Sequence, residues 1–130
     1  MYVLDTDICV DLYRGHEASI DSVSVLEAEG PLTITAITVQ ELAEGAYRAR
    51  DIRIATSRLR RLLAAFHVLD YDGAASWIAG RLGAELRKKG RPIGDLDTMI
   101  AACTIAHNGV LVTRNLRHFK RIRGLDVQSL

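Results

Sequence analysis

Residues 95–115 read DLDTMIAACTIAHNGVLVTRN. Beyond its acidic opening, the run to His107 is apolar on nearly every side, which predicts a helix buried all round. Asn108-Gly109 is a turn signal, and the β-branched VLVT at 110–113 predicts a strand that stops at Arg114-Asn115. A buried helix feeding straight into a buried strand is half of a βαβ unit, and such units build parallel sheets.

The same grammar repeats outward from this stretch. YVL (2–4) predicts a first strand, followed by a short helix to about Arg14 and a second helix from His16 to Glu29, with Ile20, Val23 and Leu26 at helical spacing. LTITAI (32–37) predicts a second strand, and a helix opens at Thr38. A helix over 55–66, a short strand at 67–72 and a helix over 73–90 follow, the last with Ala74, Ile78, Leu82 and Leu86 on one face. RNLRHFKRI (114–122) reads as a short helix, and LDVQSL (125–130) as a final edge strand. The expectation is α/β: a three-layer sandwich with a central parallel sheet of four or five strands flanked by helices, in one domain over residues 1–130.

The 17 basic and 16 acidic residues nearly cancel, which excludes a strongly cationic body and confines any nucleic-acid contact to local patches. Cys9 and Cys103 both sit among apolar neighbours and read as small core residues in a reducing compartment. Asp5 arrives too early for an N-terminal signal segment, and no apolar run reaches the ~20 residues of a membrane span. A cytoplasmic protein is expected.

Polar residues gather at one kind of junction, where strands end and helices begin: Asp5, Glu41, Asp95, Asp97 and Asn115. Singly, each has an ordinary role. Thr38-x-x-Glu41 matches a capping box, Asp95 suits an N-cap, Asp97 complements a helix dipole, and Asn115, Asp5 or Asp7 fits a cap. Capping does not explain why several such helix starts share the carboxyl edge of one sheet, where sites of open α/β folds form, with no matching lysine or arginine. Three or four carboxylates clustered there raise their own pKa values or destabilise the fold unless a cation compensates. An all-oxygen set favours Mg²⁺ or Mn²⁺ over zinc, and such a centre suits phosphodiester hydrolysis. Asp5-Thr6-Asp7 alone also fits the nucleophile loop of a haloacid-dehalogenase-type phosphatase. That pattern, however, wants Thr or Val where Cys9 stands, and a larger scaffold.

YVLDTDICVDLYRG (2–15), ITAITVQELAEGAYRA (34–49, with its Glu-Leu-x-x-Gly step) and RPIGDLDTMIAACTIAHNGVLVTRNLRHFKRIRGLDV (91–127) together resemble the PIN-domain ribonucleases, specifically the VapC-type toxins of bacterial toxin–antitoxin pairs. The resemblance implies a PIN fold and a Mg²⁺- or Mn²⁺-dependent endoribonuclease acting on transfer or ribosomal RNA. It assigns the metal acids to Asp5, Glu41 and Asp97, with Asn115 completing the catalytic quartet. Asp7 falls in a supporting position, Asp95 is an accessory or a cap, and the hydroxyls of Thr6 and Thr113 orient carboxylates or water. It further implies a homodimer, and a VapB-like antitoxin whose carboxy-terminal segment occupies the active-site groove, in complexes that can be larger still. A PIN fold that binds RNA or a partner without cutting is the competing expectation.

Arg114, Arg117 and Arg91 are the candidates for RNA phosphate, flanking Asn115 or preceding Asp97. The basic run from Arg48 to Arg61 reads equally as a solvated face, an RNA track or an antitoxin surface. His16, His67, His107 and His118 share no ligand spacing and read as surface or capping residues. Trp77 is expected in the core or in a dimer contact.

Overall fold

The computed structural model describes residues 1–130. Its strands are β1 (Tyr2–Leu4), β2 (Leu32–Thr35), β3 (His67–Leu69), β4 (Val110–Thr113) and β5 (Asp126–Ser129). The helices are α1 (Thr6–Tyr13), α2 (Glu17–Glu29), α3 (Ala36–Tyr47), α4 (Ile52–Leu63), α5 (Gly73–Lys88), α6 (Asp95–Ala106) and α7 (Leu116–Phe119). All five strands run parallel in the order β3-β2-β1-β4-β5, the upper of the two strand counts expected.

Successive strand residues point to opposite faces, and the cores follow that rule. Val3 and Leu111 enter one core with Leu82, Leu86, Ile100, Cys103 and Phe119. Their neighbours Leu4 and Val112 enter the other with Ile8, Val23, Leu26, Leu42 and Leu59. Helices therefore cover both faces. Both cysteines are buried and free.

Three boundaries differ from the sequence reading. α3 begins at Ala36 because Thr35, the last residue of β2, caps it by accepting the Thr38 N–H at 3.1 Å. β2 is shortened accordingly, and Glu41 moves from the first turn into the second. α4 starts earlier, at Ile52, capped by Asp51, and β3 stops at Leu69. In α5 the buried stripe is Ala75, Leu82 and Leu86, while Ala74 is exposed. Trp77 is 85% exposed, so it is no part of the core.

The direction of the walk across the sheet reverses at β1. From there β2 and β3 lie on one side and β4 and β5 on the other. Such a switch point opens a crevice at the carboxyl ends of the strands. Asp5 follows β1 and Thr113 ends β4, at the two lips of that crevice. α7 has only four residues, too few to be stable by propensity. Its Phe119 is fully buried, and that anchor, of about 2–3 kcal/mol, fixes the segment after β4.

Candidate active site

A chain of hydrogen bonds joins the residues singled out from the sequence. The Thr6 hydroxyl donates to Glu41 Oε1 at 2.7 Å, and the Thr6 N–H donates to Asp5 Oδ1 at 2.8 Å. Thr113 Oγ1 donates to Asp5 Oδ2 at 2.7 Å and accepts the Asn115 N–H at 2.9 Å. A terminal carboxamide atom of Asn115 lies 3.0 Å from His118 Nδ1, which is 3.2 Å from Asp97 Oδ2. Glu41, Asp5, Asn115 and Asp97 are thus one connected site, assembled from the ends of β1 and β4, the second turn of α3 and the start of α6. Thr38 supports it from behind. A hydroxyl has one proton, and that of Thr6 goes to Glu41, so the 3.1 Å contact between Thr38 and Thr6 is a donation from Thr38.

The alternative capping roles do not hold for most of these side chains. Glu41 is beyond capping reach of its helix start. Asn115 makes no side-chain cap bond to α7. The cap position of α6 is Gly94, at φ 95°, a left-handed conformation that suits only glycine, so neither Asp95 nor Asp97 caps that helix. Asp5 does cap α1, with one oxygen.

Electrostatics set these acids apart. Asp5 is 5% exposed, and burial, together with the charges of Asp7 and Asp97, raises its pKa to about 6 against the donors Thr113 and Thr6. Asp97 is raised by burial, partly offset by His118. No lysine or arginine pairs with Asp5, Glu41 or Asp97. The acids and histidines do not close into a three-donor cage. Each carboxylate is turned toward a local donor instead: Glu41 to Thr6, Asp97 to His118, and Asp5 to Thr113 and the Thr6 amide.

Two expectations change. Asp95 lies outside the site, its side chain almost wholly exposed and 4.0 Å from Arg87. Arg114 is not a free phosphate ligand. Its Nη2 lies 3.3 Å from Asp11 Oδ1 and its Nε 3.9 Å from Asp7 Oδ2, while its backbone N–H donates to that same Asp7 oxygen. Asp11 also accepts from Ser19 at 2.9 Å, and Ser19 contacts His16, the cap of α2. Asp7 stays half-buried with its pKa raised by burial, and its other oxygen has no partner. Replacing Arg114 with leucine would leave the buried Asp11 short of its cation. The expected cost is about 1 kcal/mol, Arg114 being half exposed, to be read by chemical denaturation. An unchanged midpoint would refute the pairing.

Sequence reasoning missed Asp11, Ser19 and His118. Asp11 had a signal, since like charges at i and i+4 on one helix face need a cation between them. His118 had none, because its contact with Asp97 forms only when α7 folds back on the start of α6. Arg117 and Arg91 are exposed. Of the basic run, Arg58 folds onto α1, stacking 4.6 Å from the Tyr13 ring and bonding the Tyr13 carbonyl.

Comparison with known proteins agrees with this architecture. The PIN domain family matches residues 2–125. The chain is 34% identical to the tRNA(fMet)-specific endonuclease VapC of Shigella flexneri, over 98% of this chain and 96% of that one. It is 32% identical to ribonuclease VapC2 of Rickettsia felis, over 99% and 97%. Among solved structures, VapBC2 from Rickettsia felis bound to a DNA fragment from its promoter superposes with a TM-score of 0.93 at 31% identity, covering 99% of this chain and 98% of that one. DNA-bound VapBC from Salmonella typhimurium gives 0.90 at 32%, covering 98% and 96%. With the switch-point crevice, its connected acids and near full-length similarity all in agreement, the chain belongs to the PIN-domain family, among its VapC-type members.

Proposed function

We propose that this protein is a divalent-metal-dependent endoribonuclease and the toxin of a toxin–antitoxin pair. The observation that carries this reading is the buried Asp5 carboxylate at the switch point, its pKa raised by burial and by the charges of Asp7 and Asp97, and connected to the half-buried Asp97 and Glu41 with no lysine or arginine paired to any of the three. The donor set fits a hard cation: Asp5, Glu41 and Asp97 would hold it, with Asn115 beside them, all through oxygen. When bound, Mg²⁺ or Mn²⁺ would supply charge stabilisation at the phosphoryl group and a more acidic water. The chain's own residues do the positioning. Thr6 and Thr113 aim Glu41 and Asp5, and the packed strands exclude solvent from behind Asp5. Asp7 and Arg114 brace the segment carrying Asn115.

RNA is the proposed substrate, with transfer RNA first, by the name of the Shigella relative. A VapB-like antitoxin is the proposed partner, since similar VapC chains are solved as VapBC complexes. A groove beside Glu41, lined by Val10, Leu42, Ala46, Ala55 and Leu59, would take an apolar segment of it. Homodimerisation, with the bare Trp77 among the surface residues to be covered, and a cytoplasmic site of action complete the proposal; no helix is long and apolar enough to cross a membrane.

The test is cleavage of purified transfer RNA in Mg²⁺ or Mn²⁺. Chelation with EDTA and the folded Asp97→Asn variant should each abolish it. Cleavage that survives either treatment would refute the metal centre, and RNA binding without cleavage would favour a non-cutting PIN fold.

A further inference from the structure

His118 is the one group that touches both halves of the site's far side. Its Nδ1 lies 3.2 Å from Asp97 Oδ2 and 3.0 Å from the terminal carboxamide atom of Asn115. A carboxylate only accepts, so at that distance Nδ1 must carry the proton. An atom that donates to Asp97 cannot also accept from an NH₂ group. The carboxamide atom facing it is therefore the oxygen, which accepts from Nδ1–H. One N–H is then shared between Asp97 and Asn115. The ring has little freedom to leave, because the adjacent Phe119 is fully buried and meets the imidazole edge-on at 6.1 Å.

We propose that His118 is a positioning residue of the site, its Nδ1–H clamping the Asp97 carboxylate and the Asn115 carboxamide in register. The consequence for ion affinity rests on the metal-dependent reading above. Residues that orient metal ligands in this way alter affinity by about 10–100-fold when removed. The clamp also leaves the Asn115 NH₂ turned away from His118.

The experiment has two parts. In ¹⁵N-labelled protein without metal, at mildly alkaline pH, two-bond imidazole correlations should show the His118 proton on Nδ1. A proton on Nε2 alone overturns the clamp. Mn²⁺ titration by calorimetry should then show His118→Leu weakened about tenfold or more, with kcat reduced and KM for RNA little changed. His118→Asn places an amide N–H close to where Nδ1–H stood and should restore most of that loss, whereas His118→Gln should not. Thermal melts verify that each variant is folded. Wild-type affinity in His118→Leu, or no rescue by His118→Asn, overturns the proposal. Wild-type protein that takes up no Mn²⁺ yet keeps its proton on Nδ1 leaves the clamp standing and overturns the metal reading.

Discussion

Asp5→Asn is expected to lose RNA cleavage by about a hundredfold or more and, without metal at pH 7, to melt higher than the wild type. The two halves of this result share a cause. Burial and two neighbouring acids raise the folded-state pKa of Asp5 from 3.8 to about 6. Folding therefore takes up a proton between those values, and stability falls as pH rises through them. At pH 7 the ionised Asp5 costs the metal-free fold about 3 kcal/mol. Asparagine removes the charge but can accept only one of the two bonds from Thr6 and Thr113, which returns about 1 kcal/mol. The expected net rise in Tm is about 7 °C, closing as pH is lowered to about 4, where the wild-type carboxyl is also neutral. Mn²⁺ should raise the Tm of the wild type and not that of the variant. A variant that cuts as fast as the wild type would remove Asp5 from the site. A Tm difference independent of pH would refute the electrostatic cause.

Gly109→Val is expected to prevent folding, and Gly109→Ala to lower stability by about 1–3 kcal/mol. A Cβ at this position would lie 2.7 Å from Val3 Cγ2, closer than such atoms are found, and 3.4 Å from Thr104 Cγ2. Val3 cannot yield cheaply. It is fully buried, β-branched and in the strand paired on both sides. Any shift there moves Asp5 two residues on, so Gly109→Ala should also lose activity per folded molecule. Circular-dichroism melts and active-site titration check both points. A Tm within about 1 °C of wild type, well below what 1 kcal/mol would produce, would show that the turn absorbs the methyl.

The alternation of apolar runs made the parallel sandwich legible, because buried strands and a helix apolar on all sides leave few other arrangements. Asp5 was legible at the end of a strand, and Asp97 at the opening of the apolar helix that feeds one. What could not be read was which hydroxyl serves which acid. In LTITAIT the threonines at 33, 35 and 38 are locally equivalent, and only the end of the β2 ladder makes Thr35 the cap. That choice turned an apparent capping box at Thr38 and Glu41 into a free carboxylate facing Thr6. Arg114 misled for a related reason. Its charge was visible, but its pairing with Asp11 depends on α1 lying beside the end of β4.

The exposure of Trp77 has a practical consequence. It is the only tryptophan in the chain and stands in water on α5. Its emission therefore starts near the unfolded colour and reports little when the chain melts. It becomes informative when another surface covers α5, and a blue shift with rising concentration would then record that contact while the fold itself stays unchanged.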